Sequence, residues 1–317
     1  MSRPTPLRTG PYAPPVAARE LTAVSADGSR LHVEVHGPDG APAVVLSHGW
    51  TCSTAFWAAQ LRALATDHRV IVYDQRGHGR SPAATRLPYT ADMLADDLEA
   101  VLGAVLAPGE RAVLAGHSMG GMTMMAAAGR PAFTEHAAAV LLCSTGSSRL
   151  VTEATVVPLL AAGALRTRMT RAVLGSKAPL GPVTPLGKRI LKFATLGPAA
   201  SPGAVEACAR IVHACPRGVR HGWSHVLETL DMDAALAELT LPVAVLGGTA
   251  DRMTPIVHAR RIAAALPHCV GLTELPGRGH MTPVEAPEAV TEKIRELAHA
   301  YLESQSHAQS QKGADVA

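Results

Sequence analysis

Residues 111–129, RAVLAGHSMGGMTMMAAAG, decide the fold. Arg111–Ala115 is a short apolar run of strand length, and Met122–Gly129 reads as a helix. Between them stands Gly116-His117-Ser118-Met119-Gly120, a serine flanked by glycines at a strand-to-helix corner. That arrangement fits a nucleophile elbow, where the turn is so sharp that only glycine tolerates the neighbouring crowding and the hydroxyl is pushed into a cleft.

Outward from the corner, the pattern alternates. Glu20–Ala26 and Arg30–Gly37 read as two strands joined by a turn at Asp27-Gly28. Ala43–Ser47 and Val70–Tyr73 are continuous apolar runs suited to strands buried on both faces. A helix capped by Ser53 is expected through about Thr66, and a second, capped by Thr90, carries Met93, Leu94, Leu98, Val101, Leu102 and Val105. Ala138–Leu142, Val243–Leu246 and Val270–Leu275 supply further strands, with helices over about Pro255–Ala265 and Pro287–Glu303. Such alternation implies an α/β fold, a mostly parallel sheet covered by helices on both faces. Residues 19–146 and 226–303 form the expected core. Residues 1–18 read as a flexible arm, and 304–317 as a disordered polar tail.

Residues 147–225 break the rhythm, with several helical patterns and many Gly and Pro between two strands. The segment is too long for an ordinary connection and reads as a helical cap. Its eleven Lys and Arg against two Glu give it +9, although the whole chain carries only +3. A solvated face accounts for this, as does attraction to an acidic carrier protein, a phosphate-bearing thioester or a membrane surface. The stretch Val156–Ala162 offers an apolar lining for an acyl chain.

Composition narrows the classes. The small net charge argues against a nucleic-acid partner. The apolar fraction of 47% supports a large core, but with 3% aromatics it must be built from Ala, Val and Leu. The five cysteines form no C-x-x-C pair and read as reduced thiols. Met1–Leu7 lacks the apolar stretch of a signal peptide, and no apolar run reaches membrane-spanning length. A cytoplasmic location is therefore expected.

A serine hydroxyl needs a base beside it, usually a histidine held by a carboxylate. In a parallel sheet these partners belong just after strands, where the loops converge. Asp251 follows Val243–Leu246 and His280 follows Val270–Leu275, which gives the chain order Ser118, Asp251, His280. Attack on a carbonyl also needs N–H donors for the oxyanion. Met119, next to Ser118, and Trp50, in the loop after the third strand, are the candidates. Cys143–Gly146 offers no acid after the earlier strand. His48, His78 and His117 read as local hydrogen-bonding groups.

These pieces, in order, resemble the α/β-hydrolase superfamily: His48-Gly49-Trp50, Asp74–Ser81, Gly116–Gly121, Asp251 in Gly-Thr-Ala-Asp, and Gly279-His280. The resemblance covers about residues 20–303. It implies Ser118 as nucleophile, His280 as base then acid, Asp251 as its orienter, and Trp50 with Met119 as oxyanion donors. Asp74–Ser81 matches a tight turn that is structural in the superfamily. Thr51 stands where a proline is common. Serine at 118 argues against the epoxide hydrolase and haloalkane dehalogenase branches, whose elbow carries aspartate.

The superfamily's chemistry is cofactor-free, and the sequence has no zinc-spaced cluster or phosphate-binding loop. The expected activity is hydrolysis of a small carboxylic ester with a hydrophobic acyl or alcohol part. A thioesterase or lactonase, a relative of perhydrolases or carbon–carbon bond hydrolases, and a non-catalytic ligand binder are the alternatives.

Overall fold

The computed structural model describes residues 4–83, 88–158 and 160–303; the tail expected over 304–317 lies outside them. The eight strands are β1 (Arg19–Val24), β2 (Arg30–His36), β3 (Ala43–Ser47), β4 (Arg69–Tyr73), β5 (Ala112–His117), β6 (Ala137–Cys143), β7 (Val243–Gly248) and β8 (Cys269–Leu275). They form one sheet in the order β1-β2-β4-β3-β5-β6-β7-β8. β1 and β2 pair antiparallel, as does β2 with β4, and every other pairing is parallel.

The apolar runs work because side chains alternate across the sheet. Val45, Ile71 and Leu114 point to one face; Val44, Val70 and Val113 point to the other. Four helices flank the first half of the sheet: α1 (Ala58–Leu64), α2 (Ala91–Val105), α3 (Met119–Ala126) and α4 (Pro131–His136). Leu94, Leu98, Val101 and Leu102 of α2 seal the first face, and Leu61 and Leu64 of α1 seal the second. With so few aromatics, Trp57, Trp223, Tyr73 and Phe133 are the largest apolar side chains fully buried in the core.

The insert between β6 and β7 holds α5 (Leu150–Glu153), α6 (Ala164–Leu174), α7 (Pro185–Thr195), α8 (Pro202–Ala214) and α9 (Arg217–Thr229). The expected boundary at 225 falls inside α9. The helix continues because Val226 and Leu227 prolong the apolar row begun by Val219 and Trp223, packing on the same cluster. α8 and α9 tie the insert down. Val205, Cys208 and Ile211 join the second-face cluster, and Val219 and Trp223 the first. The Trp223 indole N–H also donates to the Arg76 carbonyl at 3.1 Å. By contrast α6 buries only Thr170, and α7 buries nothing.

The remaining helices are α10 (Val257–Ala265), α11 (Thr282–Glu285) and α12 (Pro287–Ala298), followed by a wide turn over His299–Glu303. Val290, Ile294 and Leu297 of α12 close the second face. The leading segment differs from a free arm. Arg62 donates to the Ala13 carbonyl at 2.8 Å, Ala13 is buried, and the Tyr12 hydroxyl meets Ser201 Oγ at 3.2 Å. Its contacts run largely through backbone carbonyls, which leave no signature in composition. Among the described residues, no helix is long and apolar enough to cross a membrane.

Candidate active site

Ser118 sits immediately after β5, in the middle of the sheet, with φ 52° and ψ −117°. A serine held at positive φ is strained, and the surroundings hold it there. Its N–H donates to the Cys143 carbonyl at 3.0 Å, its carbonyl accepts from Met122 N–H at 3.1 Å and from the Thr145 hydroxyl at 2.7 Å. The corner closes only because two glycines face each other across it. A Cβ on Gly116 would lie 2.6 Å from the Gly121 nitrogen, and one on Gly120 would lie 2.9 Å from the His48 carbonyl oxygen.

The three residues expected to act together do meet. His280 Nε2 lies 3.0 Å from Ser118 Oγ, and His280 Nδ1 lies 2.8 Å from Asp251 Oδ2. Each follows a strand: Asp251 the β7 end at Gly248, His280 the β8 end at Leu275. Asp251 is aimed by its own turn, whose Met253 and Thr254 N–H groups donate to Oδ1 at 2.8 and 2.9 Å. The backbone N–H of His280 donates to the Thr195 carbonyl of α7 at 2.8 Å, so the insert helps to set the imidazole.

Thr254 is a member of this cluster that the sequence reading missed. Its hydroxyl lies 2.9 Å from Asp251 Oδ2, 3.0 Å from the Ser144 carbonyl and 3.2 Å from His280 Nδ1. A polar residue three positions after the candidate acid was the available signal.

The loop expected to carry an oxyanion donor lies against the elbow, with Gly49 so close that a Cβ there would stand 3.0 Å from Ser118 Cβ. Trp50 faces the same space, and its indole N–H donates to the Arg220 carbonyl at 3.0 Å. Met119 opens α3, so its N–H belongs to the unpaired first turn of a helix, where anions are favoured. Among the described residues, neither the Trp50 nor the Met119 backbone N–H has an acceptor.

Two buried histidines brace that loop, as local hydrogen-bonding groups. His48 Nδ1–H donates to the Gly49 carbonyl at 2.8 Å while Nε2 accepts from Gln75 N–H at 3.0 Å. His78 Nδ1–H donates to the Arg76 carbonyl at 3.1 Å, and Nε2 accepts from Thr51 N–H at 3.2 Å. Burial, with mutual repulsion, pushes His48 down to about 3, and burial brings His78 to about 4. His117 packs 4.9 Å from the His280 ring and donates from Nε2 to the His280 carbonyl at 2.8 Å. Asp74 is structural too: it accepts Thr54 and Arg80 N–H groups, both at 2.8 Å.

This bracing carries a pH dependence. Rings neutral when folded but protonated when unfolded stabilise the fold fully above about 6.5, and that stability is lost as pH falls toward about 4. Each ring contributes a slope of about 1.4 kcal/mol per pH unit in that window. Urea unfolding between about pH 7 and pH 5 is expected to show this loss, with His78→Gln removing one ring's share. A His78→Gln profile as steep as that of the wild type would refute it.

A cavity of about 550 Å³ lies between these strand ends and the insert. Ser118, His280 and Trp50 form its floor, and Leu150, Val173, Leu180, Leu191 and Leu227 contribute apolar walls. The stretch expected to line it, Val156–Ala162, contributes none of the described lining residues; Val156 is buried elsewhere. Arg220 also reaches the cavity and donates from Nη2 to the Ser176 carbonyl at 3.1 Å and to that of Ala178. Cys52, near the same loop, is buried, which pushes its thiol up and away from reactivity.

Glu20, His32 and Glu34 come together at the sheet edge. Their acceptors are already used: Arg80 takes Glu20 at 2.7 and 2.6 Å, and Glu34 takes His32 at 3.0 Å, His36 at 3.3 Å and the Thr54 hydroxyl at 3.1 Å.

A mostly parallel sheet that presents a serine at its central corner, with an imidazole against the hydroxyl, is the frame of a hydrolase. The sequence profile of the alpha/beta hydrolase family matches residues 44–293. The chain belongs to that family and is a hydrolase. A Variovorax paradoxus (strain S110) protein named "Putative carbamate hydrolase RutD" is 33% identical over 264 residues, covering 79% of this chain and 89% of its own. An Acinetobacter baylyi protein named 3-oxoadipate enol-lactonase 1 is 37% identical over 98 residues, 31% of this chain and 35% of that one. Among solved structures, a thermophilic esterase from Thermogutta terrifontis superposes with a TM-score of 0.71 at 24% identity. It covers 90% of this chain and 99% of its own, a likeness of fold.

Proposed function

We propose that the protein hydrolyses carboxylic esters through an acyl-enzyme formed on Ser118. The observation that carries this reading is the unbroken hydrogen-bonded chain from Asp251 through His280 to Ser118, at 2.8 and 3.0 Å. His280 Nε2 takes the hydroxyl proton as Oγ attacks the carbonyl. Asp251 holds the Nδ1–H tautomer and stabilises the imidazolium that forms. The N–H groups of Trp50 and Met119 receive the oxyanion, and His280 then passes its proton to the leaving alcohol. Water, deprotonated by the same imidazole, releases the acid. Every step uses side chains, backbone and water.

The cavity supports this substrate class, since its walls are mainly aliphatic and suit a hydrophobic acyl or alcohol group. Residues 147–229 act as the cap that shapes it. The relatives' names, a carbamate hydrolase and an enol-lactonase, are those of enzymes that open an acyl bond, as an esterase does. Cysteines kept as thiols would suit the reducing cytoplasm.

A fluorophosphonate probe tests the reading. Wild-type protein is expected to label covalently and Ser118→Ala to remain unlabelled. Folded wild-type protein that resists the probe would overturn the assignment.

A further inference from the structure

The outermost insert helices are amphipathic in an unusual direction. On α6, Leu165, Met169 and Val173 recur four apart and face outward, with Leu165 62% and Val173 55% exposed. On α7, Leu186 and Ile190, four apart, also face outward at 67% and 62% exposure, and Phe193, three further on, is partly exposed beneath the Arg252 guanidinium. Isolated exposed leucines are ordinary, but here an outward apolar patch stands on each of two helices that both border the cavity. The patch is continuous with the interior, because Val173 and the exposed Leu180 also line the cavity above Ser118.

The charge around this collar has one sign. Residues 164–195 contain seven Lys and Arg and no Asp or Glu. Arg171 and Lys188 reach carboxylates on other helices, Glu228 at 2.5 Å and Glu206 at 3.2 Å. Arg168, Lys177 and Arg189 have no carboxylate partner among the described residues. Outward aliphatic rows framed by cations are the pattern of a helix that lies in a membrane interface.

We propose that α6 and α7 form an interfacial face by which the protein settles on an anionic lipid surface, with the cavity mouth opening onto that surface. The composition favours this occupant. A second copy would set cations against cations across the same face. An acidic carrier protein would answer the charge but leave the Leu and Ile rows without an apolar partner. A lipid headgroup layer meets both at once, cations at the phosphates and aliphatic rows below them. An amphiphile could then pass from the layer into the cavity without crossing water.

The test is cosedimentation of the full-length protein with phosphatidylcholine vesicles, with and without phosphatidylglycerol. Binding is expected only to the anionic vesicles and is expected to weaken at high salt. The Leu186→Glu/Ile190→Glu variant, altered at two exposed sites, should lose affinity by roughly tenfold or more. Its circular dichroism and its turnover of 4-nitrophenyl acetate should stay at wild-type level. Ser118→Ala should bind vesicles as the wild type does, so a failure of the hydrolase reading is separable from a failure of this one. Absence of binding to anionic vesicles, or equal binding by the double variant, would overturn the proposal. So would a dimer that the two substitutions dissolve, or retention of an acidic acyl carrier protein without vesicle binding.

Discussion

Ser118→Ala is expected to lower kcat/KM for an ester by roughly 10⁴–10⁶, and adding His280→Ala should cost little more. In the proposed mechanism nucleophile and base act as a unit, since His280 Nε2 has no proton to take once Oγ is gone. The near-total loss separates this role from that of a serine which merely completes the turn. Asp251→Asn is the sharper probe. The carboxylate holds Nδ1–H at 2.8 Å, and an amide can present N–H there instead, leaving Nε2 protonated and unable to accept. A loss of about 10⁴ follows if the tautomer is what Asp251 controls.

The Thr254 hydroxyl, 3.2 Å from Nδ1, does not rescue the variant. It is already drawn toward the Ser144 carbonyl at 3.0 Å and carries no charge to stabilise an imidazolium. Steady-state kinetics with a 4-nitrophenyl ester, together with active-site titration, reads both variants. An Asp251→Asn enzyme within tenfold of wild type would show that another group orients His280.

The sequence makes the site legible where its determinants are local. The elbow is one strand, one corner and one helix, all within the segment Arg111–Gly129, and Asp251 and His280 each lie a few residues beyond an apolar run. It is less legible where a remote group decides. Ser53 reads as the cap of a helix, yet its side chain caps nothing. The N–H of Thr54 is taken by Asp74 Oδ1 at 2.8 Å, and the segment begins as a tight turn over Thr54–Trp57 before α1. Asp74 stands twenty positions away, so no local rule finds it.

The insert shows the same limit. Its helical character is visible in composition, but which residues face the cavity depends on how α6 and α7 hang from α8 and α9. Val156–Ala162 and Val173–Leu174 are both apolar in sequence, and among the described residues only the second stretch lines the cavity. The six-residue α4 escaped notice because one and a half turns carry too little periodicity to register.

Gly120→Ala is expected to destabilise the protein by about 3–5 kcal/mol, although the position lies in a helix, where alanine is normally the better residue. The reason is steric rather than conformational. A Cβ at 120 would overlap the Ser47 carbonyl oxygen and stand 2.6 Å from its carbon, with the His48 oxygen 2.9 Å away. These are backbone atoms at the end of β3, and Ser47 is paired across the sheet with Gly116 of β5. Neither side can yield by changing a rotamer. Relief requires moving α3 away from the sheet, which also moves Ser118 from His280, or separating two central strands.

Gly103 supplies the control. It lies in the last turn of α2, where a Cβ meets nothing within 4 Å, so Gly103→Ala should stabilise by about 0.5–1 kcal/mol. The same substitution therefore carries opposite signs at two helical glycines, and urea unfolding of both variants reads the difference. Fluorophosphonate labelling of whatever Gly120→Ala protein folds should fall with its stability, because the corner holds nucleophile and fold by the same contacts. A Gly120→Ala protein within about 1 kcal/mol of wild type would mean that β3 and α3 can part without unfolding, and that the elbow is not the rigid point on which the sheet is built.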